Sequence, residues 1–361
     1  MGLTLTLTDA EIPASPAFIE FLYASLTGET YHTGEWYAQE KEGLARDRNR
    51  FNNIEDKAKY VLAHKEGKAL VIRSYRYFKE MLTGRPNTLR DLAHFRFYFI
   101  IGIPRTGGTY LTKQLFRACQ IDYTAVQNAL AHDGFPHIAP LSFSNKGNIH
   151  TTGLLQLAEY LTMVQLYFGK SSKLTYKNSI VVPKKFTKAI YNFPLIQELF
   201  GTNATYLITL RHPLAMTQSI IDKSGGMPEG KKFSVRSTIE RWALEDWQHW
   251  GETEAKVRQR PYVDVMLEYW KRFHFHLALA GIPRMPSSLI IPFGKEPMED
   301  AASGLFKTFK VGLEPEAFKI SKPPKFTKSE QAKAETAIRD VASFWESLGA
   351  PFPTDALSTM Q

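Results

Sequence analysis

Apolar and polar positions alternate in two different ways along this chain. Up to about residue 90 the apolar positions recur at helical spacing. Ala17 to Leu26 is one short apolar-periodic run, and a longer one begins after Asn53 with Ile54, Ala58, Val61 and Leu62, then Tyr75, Phe78, Met81 and Leu82. Gly67 predicts an interruption or kink in that run, and Gly84 followed by Pro86 predicts its end. Beyond this the pattern changes to short unbroken apolar runs. Arg96 to Ile103 (RFYFIIGI), Thr205 to Leu210 (TYLITL) and Ser288 to Pro292 (SLIIP) read as buried strands. Helical patterns cover Thr109 to Ala118, Thr152 to Phe168, Leu214 to Ile221 and Lys328 to Leu348. Ser234 to Val257 reads as one long helix, with Val235, Ile239, Trp242, Ala243, Trp247 and Trp250 on a single stripe. Strands that alternate with helices predict an α/β domain with a central parallel sheet flanked by helices. Residues 1–94 are expected to be a mostly helical extension packed on that core, and 95–361 the α/β domain itself.

Composition bounds the function without choosing it. The 361 residues are 43% hydrophobic and 22% charged, which excludes disorder, collagen and coiled coil as the main character. One cysteine, Cys119, allows no disulfide within the chain and points to a reducing, cytoplasmic setting. The longest apolar stretch, Phe95 to Ile103, is interrupted by Arg96 and is too short to span a bilayer. Met1 to Pro13 alternates Leu and Thr without a basic start, so no secretory leader is expected there. The net charge of +9 suits anionic ligands. The basic residues are spread along the chain, with 170–188 the only mild cluster and no nucleic-acid-binding motif, so nucleic acid is not the expected partner.

Candidate chemistry begins after the first strand. Gly102 to Thr109 reads G-I-P-R-T-G-G-T, the glycine spacing of a phosphate-binding loop, but Gly108 stands where such loops carry lysine. Gly107 and Gly108 let backbone N–H groups turn toward an anion, the following helix adds its N-terminal dipole, and Arg105 brings a permanent forked charge. Thr106 and Thr109 offer hydroxyls. Neither of the later strands ends in an acidic residue, so a Mg²⁺–triphosphate site of the nucleotide kinase or NTPase kind is the alternative rather than the first reading. A second anion site is predicted at Arg211, which directly follows a strand, with Pro213 opening a helix and Ser219 two turns into it.

Together these residues carry a resemblance. Ile103 to Tyr110 resembles the 5′-phosphosulfate loop of the PAPS-dependent sulfotransferases, and Leu210-Arg211-His212-Pro213 with Ser219 resembles their 3′-phosphate motif. The segments Ser288 to Val311 and Lys328 to Leu348 are similar to that family's later strand and helices, so the likeness runs from about Phe95 to the C-terminus. The resemblance implies a P-loop NTPase-like sulfotransferase fold and the cofactor 3′-phosphoadenosine-5′-phosphosulfate (PAPS, product PAP). It implies sulfuryl transfer, without a metal, to a hydroxyl or amine of a small-molecule or glycan acceptor. Arg105, Thr106, Gly107, Gly108, Thr109 and Tyr110 would meet the 5′ end, and Arg211 and Ser219 the 3′-phosphate. The chain departs from the family at Gly108, where a hydroxyl residue is usual. It also lacks the family's Gly-rich C-terminal phosphate segment, for which only Lys322 and Lys325 stand in.

The group that deprotonates the acceptor has no family match. His132 is the first candidate base, then His137 and Asp133, all past the end of the loop helix. Lys184 or Lys185 could stabilise charge on the bridging oxygen, with Lys185 preferred, while Phe186 stands where some sulfotransferases have histidine. Trp242, Trp247 and Trp250, or Tyr160, Met163 and Tyr167, are candidates for an acceptor pocket, although their helical spacing fits core packing better. His274 and His276 lie two apart on a helical pattern and face different ways, which argues against a shared site.

Overall fold

The structure, a computed structural model, describes residues 3–7, 10–29, 48–84, 91–132, 149–172, 174–320 and 326–357. Asp133, His137, Lys322 and Lys325 lie outside them.

The chain opens with a hairpin that helical periodicity did not anticipate. Strand β1 (Leu3–Leu7) pairs antiparallel with β2 (Ala10–Ala14). The Leu/Thr alternation is the period-two signal of a half-buried strand: Leu5 is buried while Thr4 and Thr6 are exposed. Ser15 then caps α1 (Pro16–Thr27), accepting from the Phe18 N–H at 3.3 Å, with Pro16 at the first helical position. Helices α2 (Arg48–Ala63) and α3 (Lys65–Leu82) meet at His64, not at Gly67. Gly67 has a different task. A Cβ there would stand 2.3 Å from the Val61 carbonyl oxygen, so glycine allows the corner to close.

The remainder is a mixed α/β assembly around a five-stranded sheet. Strands β3 (Phe95–Ile101), β4 (Thr175–Tyr176), β5 (Ser179–Lys185), β6 (Ala204–Leu210) and β7 (Ser288–Pro292) lie in the order β4-β5-β3-β6-β7. All neighbours are parallel except the short edge strand β4. Phe97, Phe99, Ile100, Val182 and Ile208 are fully buried, because parallel strands covered by helices on both faces present no wet side. Helix α4 (Gly108–Ala118) follows β3, α5 (Ile149–Ser171) precedes β4, α6 (Phe193–Phe200) precedes β6, and α7 (Pro213–Lys223) follows it. The expected long helix over 234–257 is two: α8 (Thr238–His249) and α9 (Glu254–Gln259), separated by Gly251 at φ 86°. Helices α10 (Tyr262–Leu279), α11 (Lys295–Phe309) and α12 (Lys328–Ser347) complete the layers. Among the described residues no helix is long and apolar enough to cross a membrane.

One buried carboxyl joins the N-terminal elements to the core. The Ser15 N–H and hydroxyl donate to Glu159 of α5 at 2.7 and 2.5 Å, and the Glu159 side chain is fully buried. Burial pushes this carboxyl up to about 8, against the opposing pull of the Ser15 donors. Its folded-state pKa thus lies above the ordinary 4.5. Between those two values the unfolded chain releases a proton that the folded chain keeps, so stability falls as pH rises, by at most roughly 1.4 kcal/mol per pH unit. Denaturant titrations from pH 5 to 8 are expected to show this decline in the native chain. Glu159→Gln, which cannot ionise, should be flatter over the same window.

Candidate anion-binding site

Four strand ends converge on one cleft of about 510 Å³. Ile100 of β3 pairs with Lys185, the last residue of β5; Ile101 pairs with Ile208 of β6; and Leu210, the last residue of β6, pairs with Pro292, the last of β7. The chain leaving each of these carboxyl ends therefore enters the same space: Lys185 from β5, the glycine loop from β3, Arg211 from β6 and Phe293 from β7.

The loop is built for close approach. Gly102 could carry no side chain, because a Cβ would lie 2.1 Å from the Thr209 hydroxyl and 2.8 Å from the Thr209 carbonyl oxygen. Gly107 has φ 91° and forms the N-terminal cap of α4, whose first N–H groups lack intrahelical partners. The Thr106 hydroxyl is turned into the loop. It donates to the Ile103 carbonyl at 2.8 Å and lies 2.7 Å from the Thr209 hydroxyl, inside the loop, so Thr106 braces the turn and has only its backbone to offer an anion. Gly107, Gly108, Thr109 and Tyr110 do line the cleft.

The two arginines are tied to each other. Arg211 Nη1 donates to the Arg105 carbonyl at 2.9 Å, and Arg105 Nε donates to the Ser219 hydroxyl at 2.9 Å. Arg105 adopts φ 75°, the left-handed region that a side-chain-bearing residue rarely occupies. The Arg211 guanidinium lies 3.8 Å from the centroid of the Phe293 ring. Burial first, and Arg105's like charge second, lower Arg211 to about 10, so it remains cationic at neutral pH. Burial also lowers Arg105. His212 is lowered to about 4 by burial and then by Arg211; neutral, its Nδ1 accepts from the Leu214 N–H at the start of α7.

The two lysines of β5 point to opposite faces, as successive strand residues must. Lys185 lines the cleft, and its stem packs against the loop helix: a Cβ on Gly108 would meet Lys185 Cε at 3.4 Å. Lys184 is fully buried on the other face. Its ammonium donates to the His132 carbonyl at 2.8 Å and stands over the Tyr160 ring, 4.6 Å from its centroid. His132 follows the π-helical turn Gln127–Ala131 and also lines the cleft, its Nε2 3.5 Å from the Thr109 hydroxyl. Of the aromatic candidates Trp242 lines the cleft, whereas Tyr160, Met163 and Trp247 belong to the core and Trp250 is exposed. Tyr167 packs edge-on against Phe168 at the core. His274 is buried and bonded to the Trp270 carbonyl at 2.7 Å.

Several lining residues escaped the sequence reading. Lys223 lies one turn past Ser219 on α7, a spacing of four that could have flagged it. Phe318 and Lys319 come from a segment with no signal of its own, laid across α4: the Tyr110 hydroxyl donates to the Glu316 carbonyl at 2.7 Å and Arg117 to the Glu314 carbonyl at 2.8 Å. The Phe318 ring meets both Tyr110 and Phe293 edge-on.

No protein-family model matches this chain, and no curated protein matches it either. Arg105, Lys185, Arg211, Lys223 and Lys319 line the cleft, and no Asp or Glu does so among the described residues. Among the described residues such an arrangement suits a multiply charged anion and offers a divalent cation no carboxylate. Removing Arg105 in two ways should separate strain from function. Arg105→Gly relieves the positive φ and is expected to be about 1 kcal/mol more stable than Arg105→Ala in thermal melts. Both should lose the stabilisation that sulfate or phosphate gives the native chain.

Proposed function

We propose that this chain is a PAPS-dependent sulfotransferase with a P-loop sulfotransferase arrangement of its α/β core. On this reading it moves a sulfuryl group to a hydroxyl or amine of a small-molecule or glycan acceptor. The observation that carries the reading is the Arg105–Arg211–Ser219 tie. Two elements about a hundred residues apart, the glycine loop and the Arg211–Ser219 segment, meet at neighbouring strand tips in one cleft, which supports a ligand with more than one phosphate.

The residues fit such a nucleotide. Gly107, at φ 91° with Met298 Cε only 2.2 Å from where a Cβ would stand, holds the turn that opens α4, and among the described residues the cleft is lined by Arg and Lys without Asp or Glu. When bound, PAPS supplies the sulfuryl group: its sulfur–oxygen bond to the 5′-phosphate breaks as the bond from sulfur to the acceptor atom forms, and PAP departs. Arg105 and the α4 N-terminus hold the 5′ end and stabilise the charge that grows on the leaving phosphate. Arg211 and Ser219 hold the 3′-phosphate. Lys185, pressed against the first turn of α4, adds charge on the bridging oxygen. His132, beside Thr109, accepts the acceptor's proton. His137 and Asp133, the other candidate bases, lie outside the described residues. A kinase or NTPase reading needs a carboxylate to hold Mg²⁺, which the described lining lacks.

Saturating PAP is expected to raise the melting temperature by several degrees, since a ligand at a hundred times its Kd stabilises by about 2.7 kcal/mol. Arg105→Ala and Arg211→Ala should each abolish the shift, and an unchanged native melting curve would sink the assignment. His132→Ala should lower sulfuryl transfer at least about a hundredfold, the usual contribution of a general base, while the PAP shift persists. Full activity in that variant would move the role to another group.

A further inference from the structure

We propose that Lys184 is a positioning residue for acceptor deprotonation: from behind the cleft it holds the backbone of His132, so that the imidazole stays beside Thr109. This rests on the sulfotransferase reading above, in which His132 takes the acceptor's proton. The two neighbouring lysines of β5 then have different tasks. Lys185 belongs to the described lining of the cleft, whereas Lys184 is fully buried and does not.

The backbone of His132 is fixed at both of its polar groups. Its N–H donates to the Gln127 carbonyl at 2.7 Å and closes the π-helical turn Gln127–Ala131. Its carbonyl accepts from the Lys184 ammonium at 2.8 Å, and the Leu130 carbonyl accepts from the same group at 3.5 Å. The Tyr160 ring of α5 faces that ammonium, with its centroid 4.6 Å away. One side chain of β5 thus gathers the end of the turn onto the sheet. The imidazole projects from this fixed point. Its Nε2 lies 3.5 Å from the Thr109 hydroxyl, and the Tyr123 ring meets it edge-on, with centroids 6.3 Å apart.

Packing alone gives no reason for a lysine here. Burying an ammonium costs free energy that an apolar side chain of the same size does not incur. An ammonium brings three N–H donors on a flexible stem, which lets it meet more than one carbonyl of the turn at once. π turns are rare and concentrate at functional sites. A base also gains from being held: a misplacement of about 1 Å can cost about a hundredfold in rate.

NMR on the full chain with isotopically labelled histidine separates the holding of His132 from a general support of the fold. His132→Ala identifies the His132 signal. In Lys184→Met that signal is expected to shift or broaden, while those of His212 and His274 stay in place and PAP still raises the melting temperature. Turnover is read with PAPS and water alone, which give PAP and sulfate as His132 takes the water proton. Lys184→Met should slow PAP release at least about tenfold. The double variant with His132→Ala should be no slower than His132→Ala by itself, because Lys184 acts through that side chain. If the methionine variant does not fold, Lys184→Gln, which keeps a donor, goes through the same comparison with smaller changes of the same pattern expected. An unmoved His132 signal overturns the proposal. So do losses that multiply in the double variant, which would give Lys184 a task of its own at the transferred group. Loss of the PAP shift in Lys184→Met assigns the lysine to the nucleotide and also overturns it. A native chain that does not bind PAP removes the sulfotransferase reading, and the His132 signal still decides whether Lys184 holds that residue.

Discussion

The cleft depends on a reciprocal tie between two neighbouring strand tips. Arg211 donates to the carbonyl of Arg105, and Arg105 in turn donates to Ser219, four helical positions before Lys223. Parallel pairing of β3 with β6 makes this possible, because it places the two carboxyl ends side by side. The tie holds two like charges at short range in a partly buried space, an arrangement that desolvation and repulsion both oppose. It persists because each guanidinium keeps a good acceptor and Arg211 also lies on the Phe293 face. An anion entering the cleft would relieve the repulsion between the two guanidinium groups, next to the one loop residue, Arg105, that holds φ 75°.

The sheet and its two arginines were legible because buried parallel strands write themselves as apolar runs. TYLITL and SLIIP mark β6 and β7 to within a residue, and the place of Arg211 at the carboxyl end of β6 follows from the chain direction. The choice between Lys184 and Lys185 was only half legible. Alternation says that the two point apart, but which face holds the cleft depends on how α4 and the 127–131 turn pack, and no local pattern encodes that. The glycine stop at Gly251 was present in the sequence but was outweighed by the aromatic stripe that precedes it. The N-terminal hairpin was missed for the opposite reason: its period-two signal is only five residues long, beside much longer helical patterns. Phe318 and Lys319 could not have been found at all, since they reach the cleft through side chains of α4 that bond to the backbone of a segment some 200 residues away.

The residues before the sheet are more than a covering. Ser15, at the junction of β2 and α1, is bonded to Glu159, and the next residue of α5 is Tyr160, whose ring lies beneath the Lys184 ammonium. Lys184 in turn holds the carbonyl of His132. The hairpin, the buried carboxyl, the aromatic ring and the buried lysine are thus contiguous with the residue that flanks the loop. A fully buried lysine is costly unless its charge is well met, and here carbonyls at the end of the π-helical turn and a π face meet it together. The position of His132 therefore depends on α5, and α5 is fixed on its far side by Ser15. Such a construction places the side chain beside Thr109 under the control of packing rather than of the loop's own conformation, which Thr106 and the Arg211 tie hold separately.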